Sequence, residues 1–227
     1  MISSKIQVVG HRGAAGYAPE NTFASFDKAL SMGVDAIEFD VLLTKDQVPV
    51  VFHDRTLERM TDGSGKLVEK TFAELSALTV KGGGKIPTLQ DVLARYATKV
   101  HLFIEVKEPA AAIPTAKMCA ALSDAKPFCL ISFKEAALRD IRTHFPEFSI
   151  GLNWERTPWP EAKPLIESLA PDYFNPAQEL LDEACVRYTR TRNMKIGVWT
   201  VNEPNDIVLV KSLGVDAIIS DYPDRLR

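Results

Sequence analysis

Cysteine is scarce in this chain of 227 residues, which contains only Cys119, Cys129 and Cys185. The three are odd in number, far apart, and without the spacing of a zinc site or of a disulfide framework. We therefore expect reduced thiols and a cytoplasmic protein, because disulfides persist mainly in oxidising compartments. Each cysteine lies in an apolar context typical of a helix or a strand, which favours core packing over a role as a nucleophile.

Long apolar runs and basic blocks are also lacking. No run is long enough to span a membrane, and the first residues, MISSKIQVVGHRG, have too short an apolar core for a signal peptide. The 27 Lys and Arg residues are mixed with 30 Asp and Glu residues, for a net charge of −3. Without a basic patch, a nucleic-acid partner is not expected. We predict a small-molecule substrate and no stable membrane insertion, and the composition leaves the oligomeric state open.

No linker, low-complexity segment or change of composition divides the sequence, so we interpret residues 1–227 as one domain. Short apolar runs alternate with amphipathic segments along its whole length. The predicted strands are 5–10, 35–44, 48–53, 101–107, 127–132, 148–153, 172–175, 195–200 and 216–221. The predicted helices include one that Asn21 caps and Gly33 ends, and others over 86–96, 134–145, 175–192 and 203–214.

Strands that alternate with helices indicate a parallel sheet with the helices outside it. Strand 48–53 runs back along the second strand as a small β extension, and the other eight strands predict a (β/α)8 barrel. The repeated helix-to-strand passages SMGVDAIEFD and SLGVDAIISD favour this fold. A doubly wound open sheet is the alternative, but GHRGAAG is a poor match to the glycine-rich loop which that fold needs. The segment 54–88 is the least regular part of the sequence.

Two predicted strands carry acids where a barrel interior is expected. Side chains at i and i+2 share a face of a strand, so Glu38 and Asp40 point together, while Glu105 and Lys107 point together from another strand. A buried carboxylate is costly unless it is paired or binds a metal. Glu38, Asp40 and Glu105 therefore predict one divalent cation, Mg²⁺ or Ca²⁺, because these ions prefer oxygen ligands. The alternative is a buried salt-bridge cluster with Arg12 and Lys107.

Two of the four histidines are expected near these acids. His11 follows the first strand directly, and His53 ends the strand 48–53, beside Asp54. Together they predict a general acid and a general base. His101 begins a strand, which is the wrong end for catalysis in a barrel, and His144 follows a helix at the predicted surface.

Arg12 and Lys107 add two cations to the same predicted site. A metal, two imidazoles and two cations suit a phosphodiester, because positive charge stabilises the phosphoryl oxygens while one histidine takes a proton and the other gives one. The small residues Gly13, Ala14, Ala15 and Gly16 follow Arg12, and we interpret them as a slim loop that lets the substrate approach. The residues alone thus predict metal-assisted phosphodiester chemistry.

Five stretches resemble, in order, the signature blocks of the glycerophosphodiester phosphodiesterases. They are HRGAAGYAPENTFASF, DAIEFDVLLTKDQVPVVFHDRTLERMTDGSG, IPTLQDVL, FIEVK and VWTVN, and together they extend over nearly the whole chain. The resemblance is to the compact cytoplasmic bacterial-type form, without membrane spans or large insertions. It implies a metal-dependent (β/α)8-barrel hydrolase that converts a glycerophosphodiester to sn-glycerol 3-phosphate and an alcohol.

The same resemblance assigns roles to individual residues. It implies that His11 and His53 are the acid/base pair and that Arg12 and Lys107 hold the phosphate. Trp199 corresponds to an aromatic wall beside the glycerol moiety. The metal-binding acids of the family correspond to Glu38, Asp40 and Glu105, and weaker candidates for the site are Glu20, Asn21, Asn202 and Asp221.

Several alternatives remain open at this point. Trp154 and Trp159, in the loop 153–161, either line the alcohol side of the site or pack the loop on a helix. The segment 54–88 either covers the site or pairs with another subunit. A related barrel could act as a lysophospholipase D, or as a cyclising phospholipase-type phosphodiesterase, and a non-catalytic phosphodiester-binding protein is the less favoured reading. The preferred alcohol, the native metal, and the choice between attack by water and a cyclic intermediate are also open.

Overall fold

A closed parallel barrel forms the centre of the computed structural model, which describes residues 5–122, 127–155 and 157–227. Its hydrogen-bonded strands follow the order β1-β9-β8-β7-β6-β5-β4-β2-β3, and a further pairing of β1 with β2 closes the barrel. The strands are β1 Gln7–Gly10, β2 Ala36–Leu43, β3 Pro49–Val51, β4 His101–Val106, β5 Phe128–Ser132, β6 Ser149–Trp154, β7 Tyr173–Pro176, β8 Lys195–Val198 and β9 Ala217–Ser220. Outside the barrel, β3 pairs antiparallel with β2, so both the predicted barrel and its β extension are confirmed.

Helices cover the outside of the barrel between successive strands. They are α1 Phe23–Ser31, α2 Phe72–Ala77, α3 Leu89–Tyr96, α4 Ala112–Ala120, α5 Glu135–His144, α6 Lys163–Leu169, α7 Glu183–Arg190 and α8 Pro204–Ser212. After β9 a short 3-10 helix, Pro223–Leu226, packs against β1 in place of an eighth outer α-helix. None of these helices, within the described ranges, has the length and apolar character needed to cross a membrane.

The two faces of β2 have the different environments that its sequence predicts. Ile37, Phe39 and Val41 are almost fully buried in the large apolar cluster between the barrel and its helices. Glu38 and Asp40 point into the barrel instead. A separate apolar cluster that includes Val9, Phe103, Cys129, Ile131 and Tyr173 lies within the barrel. The acids are therefore set above a packed interior at the carboxyl ends of the strands, where barrel enzymes place their active sites.

The segment 54–88 builds a small core of its own at one side of the barrel. It has little regular structure, a 3-10 helix Leu67–Glu69 and the short helix α2, as its sequence predicts. Leu57, Leu67, Leu75, Val80 and Ile86 are buried against residues of β2 and β3. This third apolar cluster fixes the segment to the strand extension, so the first residues of the segment reach the carboxyl end of the barrel.

Two predicted helix starts are wrong. Asn21 does not cap α1: its φ is +58°, and the neighbouring Thr22 is the cap, accepting a hydrogen bond from the backbone of Ser25. The helix predicted over 175–192 begins only at Glu183, where the side chain of Asp182 is the cap. In both cases the helix begins after a residue whose side-chain oxygen accepts a hydrogen bond from the backbone N–H three residues further along the chain.

The glycines after Arg12 serve packing rather than substrate access, which corrects the interpretation of the loop 13–16. Gly13 has a φ of +92°, and a Cβ there would lie 2.6 Å from the backbone carbon of Ser25 in α1. A Cβ on Gly16 would overlap with the ring of Tyr222. Ala14 is fully buried. The loop is slim because it is pressed between α1 and the C-terminal end of the chain.

Candidate active site

A cavity of about 770 Å³ opens at the carboxyl ends of the barrel strands. Its walls include seven of the eight predicted site residues: His11, Arg12, Glu38, His53, Glu105, Lys107 and Trp199. The eighth, Asp40, is 1% exposed and lies on the same face of β2 as Glu38. The structure therefore brings together residues that are up to 188 positions apart in the sequence.

Three carboxylates meet at the base of the cavity. One ligand oxygen from each of Glu38, Asp40 and Glu105 lies within 4.8 Å of the other two. All three side chains are buried, with residue exposures of 3%, 1% and 7%. Parallel pairing of β2 with β4 sets Asp40 directly beside Glu105, which brings two of the carboxylates to the same level of the barrel.

The available cations do not satisfy these three acids as a salt-bridge cluster would require. Lys107 pairs with Glu105 at 2.8 Å and with Asp40 at 3.2 Å, and the Arg12 side chain lies 3.3 Å from Asp40. Within the described ranges, Glu38 has no Lys or Arg side chain in ion-pair contact, and it accepts a hydrogen bond only from the backbone N–H of Arg12. The arrangement thus leaves one buried acid in excess, and the set fits a divalent cation with oxygen ligands.

The pKa values reflect this excess of negative charge. Burial, together with the charges of Asp40 and Glu105, raises the pKa of Glu38 well above its usual range. Burial and the charge of Asp40 raise the pKa of Glu105 to about 7, although Lys107 opposes the rise. Burial would also raise the pKa of Asp40, but Lys107 and Arg12 lower it below its usual range. A divalent cation would favour the ionised form of all three acids.

His11 is held by an aspartate at the seam where the barrel closes. Its Nδ1 lies 2.7 Å from Asp221 at the end of β9, and the amide of Asn202 donates to the other oxygen of Asp221 at 2.7 Å. Because Nδ1 carries the proton that faces Asp221, Nε2 is the free nitrogen of the ring. That Nε2 lies 3.9 Å from Glu38, on the side of the cavity where the three acids meet. Asp221 and Asn202, weaker candidates from the sequence, therefore orient His11.

His53 has an equivalent partner on another element. Its Nδ1 lies 2.6 Å from Asp54, and Asp54 in turn accepts from the guanidinium of Arg59. Burial lowers the pKa of His53, an effect that the charge of Asp40 opposes. Hydrogen bonds from Arg59 and His53 lower the pKa of Asp54 to about 2, so its carboxylate is ionised at neutral pH. The two histidines thus share one design: an aspartate lies on Nδ1, and Nε2 makes no hydrogen bond within the described ranges.

Arg12 is held in an unusual backbone conformation. Its φ is +47°, in the left-handed region that residues with a Cβ seldom adopt. Its N–H donates to Glu38 at 3.0 Å, and its carbonyl accepts from the Ser25 hydroxyl at 2.8 Å and from the N–H of Asn21 at 3.1 Å. These bonds compensate for the strain and turn the guanidinium over Asp40.

Asn21 and Glu20 both contribute to the site, in ways that the sequence does not define. Asn21 donates to Asp40 at 2.8 Å from a buried position, and Glu20 accepts from Arg12 at 3.0 Å. Behind Glu105 lies an amide pair that the sequence analysis missed: Asn153 donates to Glu105 at 3.3 Å and accepts from Asn175 at 3.0 Å. Each of these groups restrains an acid or a cation at the cavity.

Of the three tryptophans, Trp199 lines the cavity, and Trp154 and Trp159 do not. Trp199 donates its indole N–H to the carbonyl of Asn175 at 2.8 Å and meets Phe133 edge-on, with the ring centroids 5.3 Å apart. Trp154 donates to the carbonyl of Thr157, and Trp159 is buried against Tyr188. Packing is therefore the role of both loop tryptophans. Residue 156 of this loop lies outside the described residues.

The placements expected for His101, His144 and the three cysteines are confirmed. Nδ1 of His101 is hydrogen-bonded to the side-chain amide of Gln7 at 2.8 Å, at the amino-terminal end of the barrel and away from the cavity. His144 is exposed. The three cysteines are free and buried.

Comparison with known proteins agrees with the geometry. The sequence model described as the glycerophosphoryl diester phosphodiesterase family matches residues 11–225. The chain is 35% identical to a glycerophosphodiester phosphodiesterase of Caldanaerobacter subterraneus subsp. tengcongensis, over 98% of this chain and 96% of that protein. A Bacillus subtilis protein of the same name is 27% identical, over 97% of this chain and 85% of its own length.

Solved structures give the same result. A phosphodiesterase of Oleispira antarctica, in complex with the product sn-glycerol-3-phosphate, superposes with a TM-score of 0.87 at 30% identity, covering 97% of this chain and 94% of the other. A glycerophosphodiester phosphodiesterase of Thermotoga maritima superposes with a TM-score of 0.84 at 26% identity, covering 97% and 96%. The family match extends over nearly all of the barrel and includes both histidines and all three acids, so the chain belongs to the glycerophosphoryl diester phosphodiesterase family, a family of phosphoric diester hydrolases.

Proposed function

We propose that this chain hydrolyses glycerophosphodiesters to sn-glycerol 3-phosphate and an alcohol, with one divalent cation, Mg²⁺ or Ca²⁺, at Glu38, Asp40 and Glu105. The observation that carries the proposal is the meeting of two aspartate-oriented histidines with three buried acids in one cavity of a family member. The product bound to the Oleispira antarctica relative supports the substrate class.

The cations at the cavity bind the phosphate in this proposal. Arg12 and Lys107 stay protonated, because Asp40 stabilises both cations against the opposing effect of burial and raises the pKa of each. Both side chains are partly exposed to the cavity, so they can meet phosphoryl oxygens while they remain paired with Asp40. A bound divalent cation would supply further positive charge to the same oxygens. Trp199 forms the wall against which the glycerol moiety packs.

The histidines transfer the protons. One free Nε2 takes a proton from the attacking hydroxyl, which belongs either to water or to the 2-hydroxyl of the glycerol moiety. In the second case a cyclic phosphate forms, and a water molecule then opens it to sn-glycerol 3-phosphate. The other Nε2 gives a proton to the departing alkoxide, so both charges are neutralised as the bond to phosphorus breaks. Asp54 and Asp221 hold the two rings and stabilise the imidazolium form in whichever ring becomes protonated.

Small water-soluble diesters fit the cavity better than lysolipids do. Among the described residues, the large exposed apolar side chains are Tyr17, Val68, Val208 and Leu209, and none of these lines the cavity. The outer wall instead carries charged groups, including Arg55, Glu108 and Lys134. A lysophospholipase D would need an apolar surface for its acyl chain at this position.

Metal dependence is tested by removal and return of the ion. The protein is treated with EDTA, Mg²⁺ or Ca²⁺ is restored separately, and release of glycerol 3-phosphate from glycerophosphocholine is followed. We expect no turnover without a divalent ion and recovery with at least one of the two. Full activity in EDTA would contradict the assignment of the three acids.

The acid/base assignment is tested by His11→Ala and His53→Ala, each of which should lower kcat by about 10²- to 10⁴-fold while the fold is retained. His144→Ala is the matched control, because this histidine is exposed on α5. Near-normal rates in both site variants would refute the pair. Phosphorus NMR of the products, across glycerophosphodiesters and lysolipids, separates direct hydrolysis from a cyclic intermediate and tests the lysolipid alternative.

The compartment follows from the thiols. We infer a cytoplasmic location because Cys119, Cys129 and Cys185 are all free. Fractionation of the producing cells tests this inference, and recovery of the enzyme outside the cytoplasm would contradict it.

A further inference from the structure

Arg59 lies behind the cavity wall and joins two loops that supply active-site residues. It belongs to the segment 54–88, outside the barrel, and it is not among the described residues that line the cavity. Its side chain is 47% exposed, yet its guanidinium makes a double fork. Nε and Nη2 donate to the two oxygens of Asp54 at 2.5 and 2.9 Å, while Nη1 and Nη2 donate to the two oxygens of Glu20 at 2.9 and 2.6 Å.

Each of the two acids also holds a residue of the site. Asp54 binds Nδ1 of His53 at 2.6 Å. Glu20 binds Nη1 of Arg12 at 3.0 Å. The five side chains therefore form an unbroken series of contacts in which nitrogen-bearing groups and carboxylates alternate, and the guanidinium of Arg59 occupies the centre.

The geometry of the series is more specific than that of a surface ion pair. An isolated ion pair at the surface contributes little to stability and does little to orient its side chains. A planar guanidinium with two parallel hydrogen bonds to each carboxylate fixes the plane of both acids, which a point charge such as an ammonium does not. Asp54 and Glu20 are themselves mostly enclosed, with side-chain exposures of 21% and 14%, so few other groups can set their orientation.

We propose that Arg59 is a positioning residue for the reaction, one that holds an acid/base histidine and a phosphate-binding arginine in register. It acts on His53 through Asp54. It acts on Arg12 through Glu20. This inference rests on the proposed function, and it gives the segment 54–88 a part in catalysis that does not depend on contact with the substrate.

The two branches of the series should affect different kinetic constants. Asp54→Asn removes the charge that orients the acid/base histidine, so kcat should fall while KM changes little. Glu20→Gln loosens the phosphate-binding arginine, so KM should rise while kcat changes little. Arg59→Gln breaks both branches. We expect it to lower kcat by about tenfold or more and to raise KM several-fold, since misplacement of a reacting group by about 1 Å can reduce the rate by about 100-fold.

The matched control is Arg95→Gln. Arg95 has the same side-chain exposure, 46%, and pairs with Asp27 at 2.5 Å on the outside of the barrel. Any general effect of losing an exposed, ion-paired arginine should appear in both variants. We expect kcat and KM of Arg95→Gln to equal those of the wild type.

The conservative variant provides a rescue. The ammonium of Arg59→Lys keeps the charge but cannot form two forks, so its kcat should lie between those of Arg59→Gln and the wild type. Arg59→Lys also decides the matter if Arg59→Gln does not fold, because a folded Arg59→Lys with wild-type kcat and KM would overturn the proposal. The same conclusion would follow from a folded Arg59→Gln with both constants unchanged.

An NMR measurement separates this inference from the proposed function, because it needs no turnover. The signal of the Nδ1 proton of His53, identified by its loss in His53→Ala, should shift in Arg59→Gln and remain in place in Arg95→Gln. If the wild type hydrolyses no glycerophosphodiester with either metal, the proposed function fails, and this shift still tests the link through Asp54. If the wild type is active but neither the kinetic constants nor the signal respond to Arg59→Gln, the positioning role alone is refuted.

Discussion

Replacing Glu105 by glutamine should stabilise the metal-free protein, although it removes a residue of the site. Burial and the charge of Asp40 raise the pKa of Glu105 from 4.5 to about 7. The folded metal-free protein therefore binds the proton of this carboxyl group more tightly than the unfolded chain does. For an acid with a raised pKa, the contribution to stability is greatest below pH 4.5 and is lost as the pH rises from 4.5 to 7. Above pH 7 the ionised carboxylate therefore destabilises the metal-free fold.

The magnitude follows from this interval. At about 1.4 kcal/mol per pH unit, the penalty above pH 7 is about 3 kcal/mol. Glu105→Gln removes it, but the single oxygen of the new amide can accept from only one of Lys107 and Asn153, which contact the two oxygens of Glu105. A hydrogen bond to a charged group contributes about 1.5–3 kcal/mol, so a net gain of about 1 kcal/mol is expected. In a chain of this length that gain raises Tm by about 2–4 °C.

A divalent cation should make the wild type more stable than Glu105→Gln, the reverse of the order expected without metal. At 100 times its Kd, a ligand of the folded state stabilises it by about 2.7 kcal/mol, which corresponds to a rise in Tm of about 5–10 °C. The wild type should gain this stabilisation in full. Glu105→Gln should gain much less, because one of the three proposed ligands is missing.

The assay is calorimetric unfolding at pH 8, in EDTA and in excess Mg²⁺ or Ca²⁺. Glu69→Gln is the control, since the Glu69 side chain is 61% exposed and, among the described residues, pairs only with Lys66, so its curves should match those of the wild type in all conditions. The reasoning would be refuted if Glu105→Gln were the less stable protein in EDTA. It would also be refuted if the ions raised Tm equally in both proteins.

Three further predictions concern single residues. Burial lowers the pKa of His101 from 6.5 to about 4, so the folded state binds fewer protons than the unfolded chain, and up to about 3 kcal/mol of stability should be lost as the pH falls from 6.5 to 4. His101→Gln should flatten that dependence in urea unfolding, and an unchanged slope would contradict the burial of a neutral ring. Thr22→Ala should cost about 1 kcal/mol of stability through the lost helix cap and leave kcat unchanged, whereas Asn21→Ala should raise the Mg²⁺ concentration needed for half-maximal activity. Gly13→Ala should lower the free energy of unfolding by about 2–5 kcal/mol through backbone strain and overpacking, and Gly84→Ala, with a φ of +96° and open space around it, should show the strain alone.

The fold could be predicted because local patterns and global topology agree. The sequence Gly-Val-Asp-Ala-Ile occurs at the passage into β2 and again at the passage into β9. Both of its aspartates, Asp35 and Asp216, accept a hydrogen bond from the N–H of the second residue of a neighbouring strand. The alternation of apolar and acidic residues along β2 likewise settled which side chains face the barrel interior. Such information is local, so the sequence carries it directly.

Helix starts were harder to predict because adjacent residues compete for them. Asn21 and Thr22 are both good caps by residue type. What separates them is tertiary: Asn21 is drawn inward by Asp40, with which it exchanges two hydrogen bonds, so Thr22 is left to begin the helix. A preference that depends on a partner 19 positions away is not visible in the local sequence.

The partners of the histidines show the same contrast between local and distant information. Asp54 follows His53 directly and could be proposed from the sequence as its partner. Asp221 lies 210 positions from His11, and its relation to that histidine depends on the closure of the barrel. The repeated passages contain a clue to this contact. Asp221 is the last residue of DAIISD, as Asp40 is the last residue of DAIEFD, so both lie at the same end of the barrel.

In the proposed mechanism, closure of the barrel is therefore a condition for catalysis as well as for stability. Four ladder positions pair β1 with β9, from Gln7 with Ala217 to Gly10 with Ser220, and the next residue on each strand is His11 and Asp221. A slip of this register by one residue would turn Asp221 to the other face of β9 and leave His11 without its orienting acid. His53 receives its partner from an adjacent residue and would be unaffected. A barrel that closed in the wrong register should therefore lose one of the two histidines as an acid/base group and keep the other.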